Sequence, residues 1–415
     1  MRRRLTWLSV MTADIGARCL ALSRHVRKFY EKRRNPMTTQ SVCSRCHARV
    51  RSVIGAIAVL ALACSASAQS VNVTVLATGL NGPRGLKFGP DRALYVAEAG
   101  QGGSNPSASL DCEQVPGPVG PYYGGPTARI SKVSMDGHVT TVVDGLPSGM
   151  NSTPTGDTLG VADVAFVGRT LFALLAGGGC SHGNPETPNG VIKVDLEHGT
   201  WKYVADLSTF LQALPIVNPE SFQGDFEPDG SWYGMVEVRG DLYATEPNHE
   251  QIVRISPTTG KVERIADVST ESSTTWIGPA GITYHDDLFC GNLFFGNLAP
   301  FPIVPGSANV YSLTPRGKIE VRASGLTTVV GVAFDHRDRM YVLELSDLSG
   351  FPSPGYGKLV RVDRSGGTED IVTGLAVPTA MTVGPDGAIY ISNFGAAPAG
   401  LGQILRVEVR ENRFH

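Results

Sequence analysis

The segment from Ala380 to Ser392 reads AMTVGPDGAIYIS, two short runs of β-favouring residues joined by a Gly-Pro-Asp-Gly turn. The segment from Gly85 to Ala97, GLKFGPDRALYVA, has the same design early in the chain. Glycine and aspartate suit the tight turns that connect neighbouring antiparallel strands. Both segments therefore predict β-hairpins of one repeated kind.

The second strand of this hairpin has counterparts along the whole chain. An apolar or aromatic pair recurs at intervals of roughly 50 to 80 residues, which matches propeller blades of about 40 to 50 residues that carry insertions. The sequence therefore predicts an all-β fold, a six-bladed β-propeller formed by residues 69–410 and followed by a tail, 411–415. The pairs are Leu94-Tyr95, Leu171-Phe172, Leu242-Tyr243, Leu293-Phe294, Met340-Tyr341 and Ile389-Tyr390.

The two ends of the repeat region predict how the ring closes. The last repeat stops after its third strand, Ile404 to Val407, and a surplus strand, Val71 to Ala77, precedes the first repeat. The Thr78-Gly79-Leu80 segment that follows it resembles Ser324 to Leu326 and Thr373 to Leu375, which follow predicted outer strands. We therefore expect the N-terminal strand to complete the last blade and leave no free sheet edge.

Composition and charge exclude several classes of protein. The 415 residues are 42% hydrophobic and 18% charged, with 49 glycines, which fits a turn-rich globular protein. No apolar run reaches the roughly 20 residues of a membrane-spanning helix, so we expect no integral membrane span. Residues 1–68 contain 13 basic and 2 acidic residues, whereas residues 69–415 contain 23 basic and 36 acidic residues, so the repeat region is acidic. We therefore expect no nucleic-acid partner.

Residues 1–68 have the pattern of an N-terminal extension and a cleavable signal peptide. Basic residues precede an apolar stretch at 53–63, and Ala66-Ser67-Ala68 follows it. We predict cleavage after Ala68 and export to the periplasm or the cell exterior. Lipidation of Cys64 and a true start at Met37 stay open.

The export segment contains a haem-like motif. Cys43-Ser-Arg-Cys46-His47 matches the C-x-x-C-H spacing of covalent haem attachment. Haem is attached after export, whereas this motif would be removed with the signal peptide. We therefore expect no haem in the mature protein.

Three cysteines remain after the predicted cleavage: Cys112, Cys180 and Cys290. The loops that carry Cys112 and Cys180 leave the second strands of adjacent repeats toward the same face. Such loops come close enough for a disulfide in an oxidising compartment. We therefore expect a Cys112–Cys180 disulfide, with Cys290 left free.

Several strings resemble one family of proteins. They are Gly85 to Glu98, Ala176 to Gly183 (AGGGCSHG), Asn297 to Ile303 and Thr327 to Phe334. They look like the ScyD/ScyE family of exported six-bladed propellers, and Glu246 to Arg254 also resembles the Asn-His-x-Ile-x-Arg element of NHL repeats. The resemblance covers nearly all of the repeat region. It implies a secreted propeller linked to the biosynthesis of a sunscreen pigment, without a well-defined reaction.

The predicted connections differ in length between the two sides of the disc. The turns that join first to second and third to fourth strands are short, whereas connections on the other side, such as Gly100 to Thr127 and Ser208 to Ser231, are long. Long loops on a rigid scaffold are where binding sites usually form. We therefore expect this long-loop face to bind a small molecule or a protein partner, and we expect a monomer.

One position of the repeat carries a polar side chain in five of the six blades. It lies three residues past the aromatic residue of each pair. A ring of carboxylates and amides suits Ca²⁺ or another divalent cation. Equally, each group can accept backbone N–H bonds and join its own blade to a neighbouring segment, and this structural interpretation is favoured. The residues are Glu98, Glu246, Asn297, Glu344 and Asn393.

Six further residues are candidates for ligand binding near the mouth of the central channel. The charged residues Arg84 and Asp163 start inner strands of adjacent blades, where they form an ion pair or line the mouth. The rings of Trp232 and Trp276 either stack on an aromatic or sugar ring or belong to the core. The remaining two candidates are His182 and His249.

These features favour a ligand- or partner-binding module without an established reaction. A metal-dependent lactonase of the gluconolactonase type is the first alternative, although glycine and alanine occupy most inner-strand starts where its ligands are needed. A protein-interaction scaffold is the second alternative. A Cys180–His182 nucleophile is disfavoured because the expected disulfide consumes the thiol.

Overall fold

The computed structural model describes residues 69–153, 157–217, 226–271, 276–286, 291–298 and 302–411. The predicted export segment, with its haem-like motif, lies outside the described residues. The same is true of Cys290 and of the predicted tail after Glu411.

The described chain forms six antiparallel sheets, the blades of a β-propeller, as the repeat predicts. Blade 1 contains β2 (Pro83–Phe88), β3 (Leu94–Glu98), β5 (Tyr123–Val133) and β6 (Val139–Met150), with the two-residue strands β4 (Asn105–Pro106) and β7 (Thr158–Leu159). Blade 2 contains β8 (Val161–Val167), β9 (Thr170–Leu175), β10 (Gly190–Asp195) and β11 (Thr200–Asp206). Blade 3 contains β12 (Met235–Val238), β13 (Asp241–Glu246), β14 (Gln251–Ile255) and β15 (Val262–Asp267).

The other three blades have the same order of strands. Blade 4 contains β16 (Gly278–Asp286), β17 (Gly291–Leu298), β18 (Ala308–Leu313) and β19 (Ile319–Leu326). Blade 5 contains β20 (Val329–Phe334), β21 (Met340–Glu344), β22 (Pro354–Val362) and β23 (Thr368–Ala376). Blade 6 contains β24 (Ala380–Val383), β25 (Ile389–Asn393), β26 (Gly402–Glu411) and, from the N-terminus, β1 (Gln69–Leu80).

Helical structure is confined to connections. One short helix, α1 (Leu207–Ala213), follows blade 2 and is capped by the Asp206 side chain, which accepts the Thr209 N–H. Single 3-10 turns lie at Ser107–Ser109, Cys180–His182 and Val268–Thr270. Within the described ranges, none of the helices is both long and apolar enough to span a membrane.

The N-terminal strand closes the ring, as the two chain ends predict. β1 pairs antiparallel with β26, and Val73 lies opposite Val407. The side chain of Leu80, at the end of β1, is fully buried against residues of blades 6 and 1. The first strands of the six blades also contact one another in ring order, so blade 6 packs against blade 1.

The core lies between blades. Each of six buried clusters joins one pair of neighbouring sheets, such as the cluster of Phe172 and Leu174 from blade 2 with Leu242 and Val253 from blade 3. The second strands β3, β21 and β25 are buried at every residue because a neighbouring blade covers each face. This explains their apolar, unalternating sequences.

The Gly-Pro-Asp turns use their aspartates to join turn and strand. The Asp386 carboxylate accepts the Ala388 N–H at 3.2 Å and the Tyr390 hydroxyl at 2.9 Å. In blade 1, Asp91 accepts the corresponding Ala93 N–H at 3.2 Å and the Tyr95 hydroxyl at 3.1 Å. These aspartates therefore have a structural role on the short-turn side.

Candidate functional site

In blade 1, Glu98 occupies the repeated polar position. Its side chain is buried, and both carboxylate oxygens accept hydrogen bonds. It accepts two hydrogen bonds from the Arg129 guanidinium, at 2.7 and 2.9 Å, and one from the Ser131 hydroxyl at 2.5 Å. The Asn81 N–H donates to Oε2 at 2.6 Å, which ties the blade corner to the segment entering the blade. These donors use both carboxylate oxygens.

The same connection recurs in blades 3 and 6. Glu246 accepts the backbone N–H of Ser231 at 2.6 Å and also that of His249. Asn393 accepts the Ala376 N–H at 2.8 Å. In blade 4, Asn297 instead accepts the N–H of Asn309, on the next strand of its own blade, at 2.6 Å.

The five side chains belong to the corners of five separate blades. Among the described residues, no group of three or more His, Cys, Asp and Glu side chains is arranged to hold a metal ion. The bonds of Glu98, Glu246, Asn297 and Asn393 to backbone N–H groups agree with the structural interpretation of this position.

Glu344, in blade 5, differs from its counterparts. Its side chain is 2% exposed, yet Oε2 has no hydrogen-bond partner, and the Lys358 ammonium lies 3.6 Å away. Burial raises the pKa of Glu344 to about 7, although Lys358 opposes this rise. Lysine replaces the bidentate arginine of blade 1 here, and a point charge satisfies a buried carboxylate less well.

We expect the free energy of unfolding of Glu344→Gln, relative to that of the native protein, to increase as pH rises. A folded-state pKa near 7, above an ordinary value near 4.5, means that the stability contributed by the protonated carboxyl is complete below pH 4.5 and is lost as pH rises through 7. The free energy of unfolding of the variant minus that of the native protein should increase by about 3 kcal/mol from pH 4 to pH 8. Urea unfolding at both pH values measures this difference.

A neighbouring carboxylate provides the control for this measurement. The Asp370 side chain lies 3.9 Å from the same Lys358 ammonium but is 55% exposed. Asp370→Asn should therefore change stability little between the two pH values. An equal pH dependence in both variants would contradict the assignment to Glu344.

Asp163 joins blades at the central channel. Its carboxylate accepts the N–H groups of Val164 and of Met235, the latter in blade 3, each at 2.8 Å. It also lies against Gly85 of blade 1, where an added Cβ would come within 1.8 Å of Oδ1. Burial raises the pKa of Asp163 to about 6, with Lys87 and the two N–H donors opposing this rise.

Arg84 does not pair with Asp163. Its guanidinium donates to Asp157 Oδ1 at 2.8 Å and to the Thr158 carbonyl at 2.5 Å, and so braces the entry to blade 2. The residue that lies against Asp163 is the next one in the chain, Gly85. The expected ion pair is therefore wrong.

A tyrosine that the sequence analysis did not single out crosses the channel mouth. The Tyr233 hydroxyl, at the start of blade 3, donates to the Thr379 carbonyl of the opposite blade 6 at 2.8 Å. Burial raises the pKa of this hydroxyl. Tyr233 therefore restricts access to the centre of the ring from the long-loop face.

The two tryptophans are buried. Trp232 is 1% exposed and packs with Leu211 and Met235 between blades 2 and 3. Trp276 is 7% exposed and lies against Gly278, where an added Cβ would come within 2.3 Å of its ring. Neither ring presents an open face for stacking, which supports their interpretation as core residues.

The Cys112–Cys180 disulfide is present, as the loop geometry predicts, and joins the loops of blades 1 and 2. Three glycines precede Cys180 because neighbouring groups leave no room for a Cβ at Gly177, Gly178 or Gly179. At Gly179 the backbone has φ 93° and ψ 163°, a region open essentially to glycine alone. The Asp229 carboxylate occupies the space that a side chain at Gly179 would fill.

A buried polar network lies behind this loop. His182 has no exposed surface, and its Nε2 and Nδ1 lie 3.3 Å from Glu227 Oε2 and 2.6 Å from the Gly178 carbonyl. The Tyr122 hydroxyl donates to the other oxygen of Glu227 at 2.8 Å. Burial lowers the pKa of His182, but Glu227 and Asp229 outweigh it and the net effect is a raised pKa. Both ring nitrogens face acceptors, which favours the imidazolium form.

These elements surround a cavity of about 430 Å³ on the long-loop face. The disulfide forms one wall, and α1 with the following residues forms another. Of the predicted site residues, His249 lines the cavity and His182 lies behind it. The lining residues are Cys112, Glu113, Cys180, Leu211, Gln212, Pro215, Ile216, Phe226, Pro228, Asp229 and His249.

Sequence reasoning missed the acids of this site. Glu227 and Asp229 lie in the segment between blades 2 and 3, which has no counterpart in the other repeats. Two acids flanking a proline, in a long loop of a chain with 18% charged residues, were the available signal. Repeat symmetry instead drew attention to the five blade-corner residues.

The chain is a six-bladed β-propeller, and solved structures share this fold. An oxidoreductase described as a glucose dehydrogenase from Thermus thermophilus has 17% identity and a TM-score of 0.50, with 82% of this chain and 100% of that chain covered. The PQQ-bound aldose sugar dehydrogenase from Streptomyces coelicolor has 14% identity and a TM-score of 0.51, with 83% and 99% covered. A gluconolactonase from Xanthomonas campestris has 10% identity and a TM-score of 0.48, with 82% and 90% covered.

No protein-family model matches the chain, and no curated protein matches it in sequence. The ScyD/ScyE resemblance therefore remains a prediction from sequence strings. At these identities, the likeness to the two dehydrogenase structures, with TM-scores of 0.50 and 0.51, supports the fold alone.

Proposed function

We propose that this protein is an exported, monomeric binding module that holds a small molecule in the cavity beside the Cys112–Cys180 disulfide. The observation that carries the proposal is the cavity of about 430 Å³, with mainly apolar walls and a few buried polar groups. Small-molecule sites typically have volumes of about 300 to 1,000 Å³ and this kind of lining.

The walls of the cavity are fixed before any ligand arrives. The Asn189 side chain accepts the Gly178 N–H at 2.7 Å and donates to the carbonyls of Asp229 and Gly230 at 2.9 and 2.8 Å. It thereby links the loop that contains Gly177 to Gly179 to the Phe226–Asp229 segment. The disulfide is a second constraint on this loop. A site that is already ordered loses less conformational entropy on binding.

The chemistry of the nearest reactive groups supports binding rather than Cys/His catalysis. The Cys180 sulfur is part of the disulfide, and the His182 ring has no exposed surface. A nucleophile and its base must reach the substrate to act on it. Export is supported by the signal-like pattern of residues 1–68 and by the disulfide, which persists in oxidising compartments.

The enzymatic alternative is a lactonase or sugar dehydrogenase at the channel mouth, the activities that appear in the names of the similar structures. Tyr233 crosses this mouth, and the part of the chain that the structure describes contains no group of three or more His, Cys, Asp and Glu side chains arranged to hold a metal ion. Elemental analysis of the purified chain separates the two proposals. One tightly held divalent ion per chain, lost in Glu344→Gln, would favour the enzyme.

Narrowing the opening of the cavity is expected to weaken the binding of an apolar probe. Gln212 lines the cavity but is itself exposed, so Gln212→Trp places an indole at the opening without disturbing the core. The neutral fluorophore N-phenyl-1-naphthylamine should bind the native protein with enhanced emission. We expect its affinity to fall at least tenfold in Gln212→Trp, as measured by fluorescence titration.

The adjacent position provides a matched control. Ala213 is also exposed on α1 but does not line the cavity. Ala213→Trp should bind the probe as the native protein does. Equal affinities for the probe in all three proteins would show that it binds elsewhere, and would contradict the proposed site.

A further inference from the structure

The lining of the cavity is acidic. Among its described lining residues, Glu113 and Asp229 are carboxylates, His249 is the one imidazole, and lysine and arginine are absent. The Arg264 guanidinium lies behind Pro215 but donates to the Pro215 carbonyl at 3.2 Å and to Leu214, and lies 3.7 Å from Asp267. Its charge is therefore already engaged outside the cavity.

Asp229 is a buried carboxylate held by hydrogen bonds, not a surface carboxylate. The residue is 5% exposed, and its Oδ2 accepts the Ser181 N–H at 2.9 Å and the Ser181 hydroxyl at 2.7 Å. No described residue donates a hydrogen bond to the other oxygen, Oδ1. Oδ1 lies against Gly179, where an added Cβ would come within 2.4 Å of it. The carboxylate is thus held by Ser181 through Oδ2 and packed on Gly179, while Oδ1 retains its capacity to accept.

Behind the wall lie both acids and imidazoles. Glu227, Asp229 and Glu246 are buried on this side of blades 2 and 3 together with two imidazoles, since His182 lies 3.3 Å from Glu227 and the backbone N–H of His249 donates to Glu246. Burial also raises the pKa of Glu246. The described lining itself keeps an excess of acidic groups, Glu113 and Asp229, over lysine and arginine. Acidic side chains that are partly removed from water attract a cation more strongly than the same charges in water.

The remaining wall is apolar and includes an aromatic ring. Phe226 lies 4.8 Å from the His249 ring, and Leu211, Ile216 and Pro228 extend the apolar lining. An aromatic ring contributes to cation binding through its face as well as to apolar contact. A complementary molecule has one positive end and a compact hydrophobic body.

On the basis of the proposed function, we propose that the ligand is a small amphipathic amine. Its ammonium pairs with Asp229, and its apolar body packs against Phe226, Leu211 and Ile216. Glu113, at the exposed rim of the cavity, attracts the same charge from solution. The proposal specifies the chemical class of the ligand, and the charge of the bound group is the property to test.

Three molecules of similar shape test the charge: 2-phenylethylamine, 2-phenylethanol and 3-phenylpropanoate. We expect isothermal titration calorimetry at pH 7 to show the amine binding at least tenfold tighter than the alcohol, and the carboxylate binding more weakly than both. Asp229→Asn, which can still accept from Ser181, should reduce the amine's preference over the alcohol to less than threefold. Glu113→Gln, at the rim, should keep most of that preference.

The outcomes separate this inference from the function on which it rests. If the alcohol binds as tightly as the amine, and Gln212→Trp removes both, the cavity binds small molecules but its charge preference is wrong. If Asp229→Asn fails to fold, the amine, alcohol and carboxylate series on the native protein still decides the charge preference. If none of the three molecules nor N-phenyl-1-naphthylamine binds, both proposals fail.

Discussion

A chain that begins at Asn81 is expected not to fold. This truncation removes β1 (Gln69–Leu80), exposes the whole edge of β26, and removes the buried Leu80 side chain from the contact between blades 6 and 1. The lost strand hydrogen bonds and burial amount to a free energy on the order of 10 kcal/mol, comparable with the total stability of a typical domain. Circular dichroism and urea unfolding should show no cooperative transition.

The matched control begins at Gln69 and retains β1. It should unfold cooperatively. Two point variants refine the test: Leu80→Asp places a charge in the buried contact and should be severely destabilising, whereas Val75→Asp, at a position 54% exposed, should be tolerated. A chain from Asn81 that unfolds at the same urea concentration as the control would show that β1 does not close the ring.

The second large effect is expected from the disulfide. Replacing both Cys112 and Cys180 with alanine should lower the free energy of unfolding by about 4 kcal/mol, because the bond closes a loop between residues separated by 68 positions. The loops of blades 1 and 2 also form one wall of the cavity. We therefore expect the double variant to bind N-phenyl-1-naphthylamine at least fivefold more weakly.

Reduction of the native protein serves as an independent comparison. Dithiothreitol should shift the urea midpoint of the native protein toward that of the double variant and leave the double variant unchanged. If the double variant keeps native stability and native affinity for the probe, the bond neither stabilises the fold nor shapes the cavity.

The fold could be predicted from sequence because each blade repeats the same local physics. The Gly-Pro-Asp turns at Asp91 and Asp386 specify hairpins, and their carboxylates bond turn N–H groups and strand tyrosines. Ring closure followed from a missing strand at one end and a surplus strand at the other. The disulfide followed because adjacent blades place their loops side by side.

The site could not be predicted in the same way because it lies where the repeat is broken. Glu98 and its counterparts in three other blades accept backbone N–H groups, a structural role that exists whether or not a ligand binds. Tyr122, Glu227 and His182, in contrast, come from connections without internal counterparts, and chain folding alone brings them together. Periodicity in sequence carries no signal for such a contact.

The remaining error lies at the start of β2. Arg84 and Asp163 start inner strands of adjacent blades, so sequence reasoning placed them together. Gly85, not Arg84, occupies the face that meets Asp163. The pairing of β2 with β3 is irregular between Pro83 and Leu86, and the sequence pattern does not reveal such an irregularity. The exact start of a strand is also the least certain feature of a sequence-based prediction.

The most direct test of the proposed site is a crystal structure of the native protein with bound N-phenyl-1-naphthylamine. We expect density for the probe between Leu211, Phe226 and His249, next to the Cys112–Cys180 disulfide. Density at the channel mouth beside Tyr233, or on the short-turn side of the disc, would contradict the proposed site.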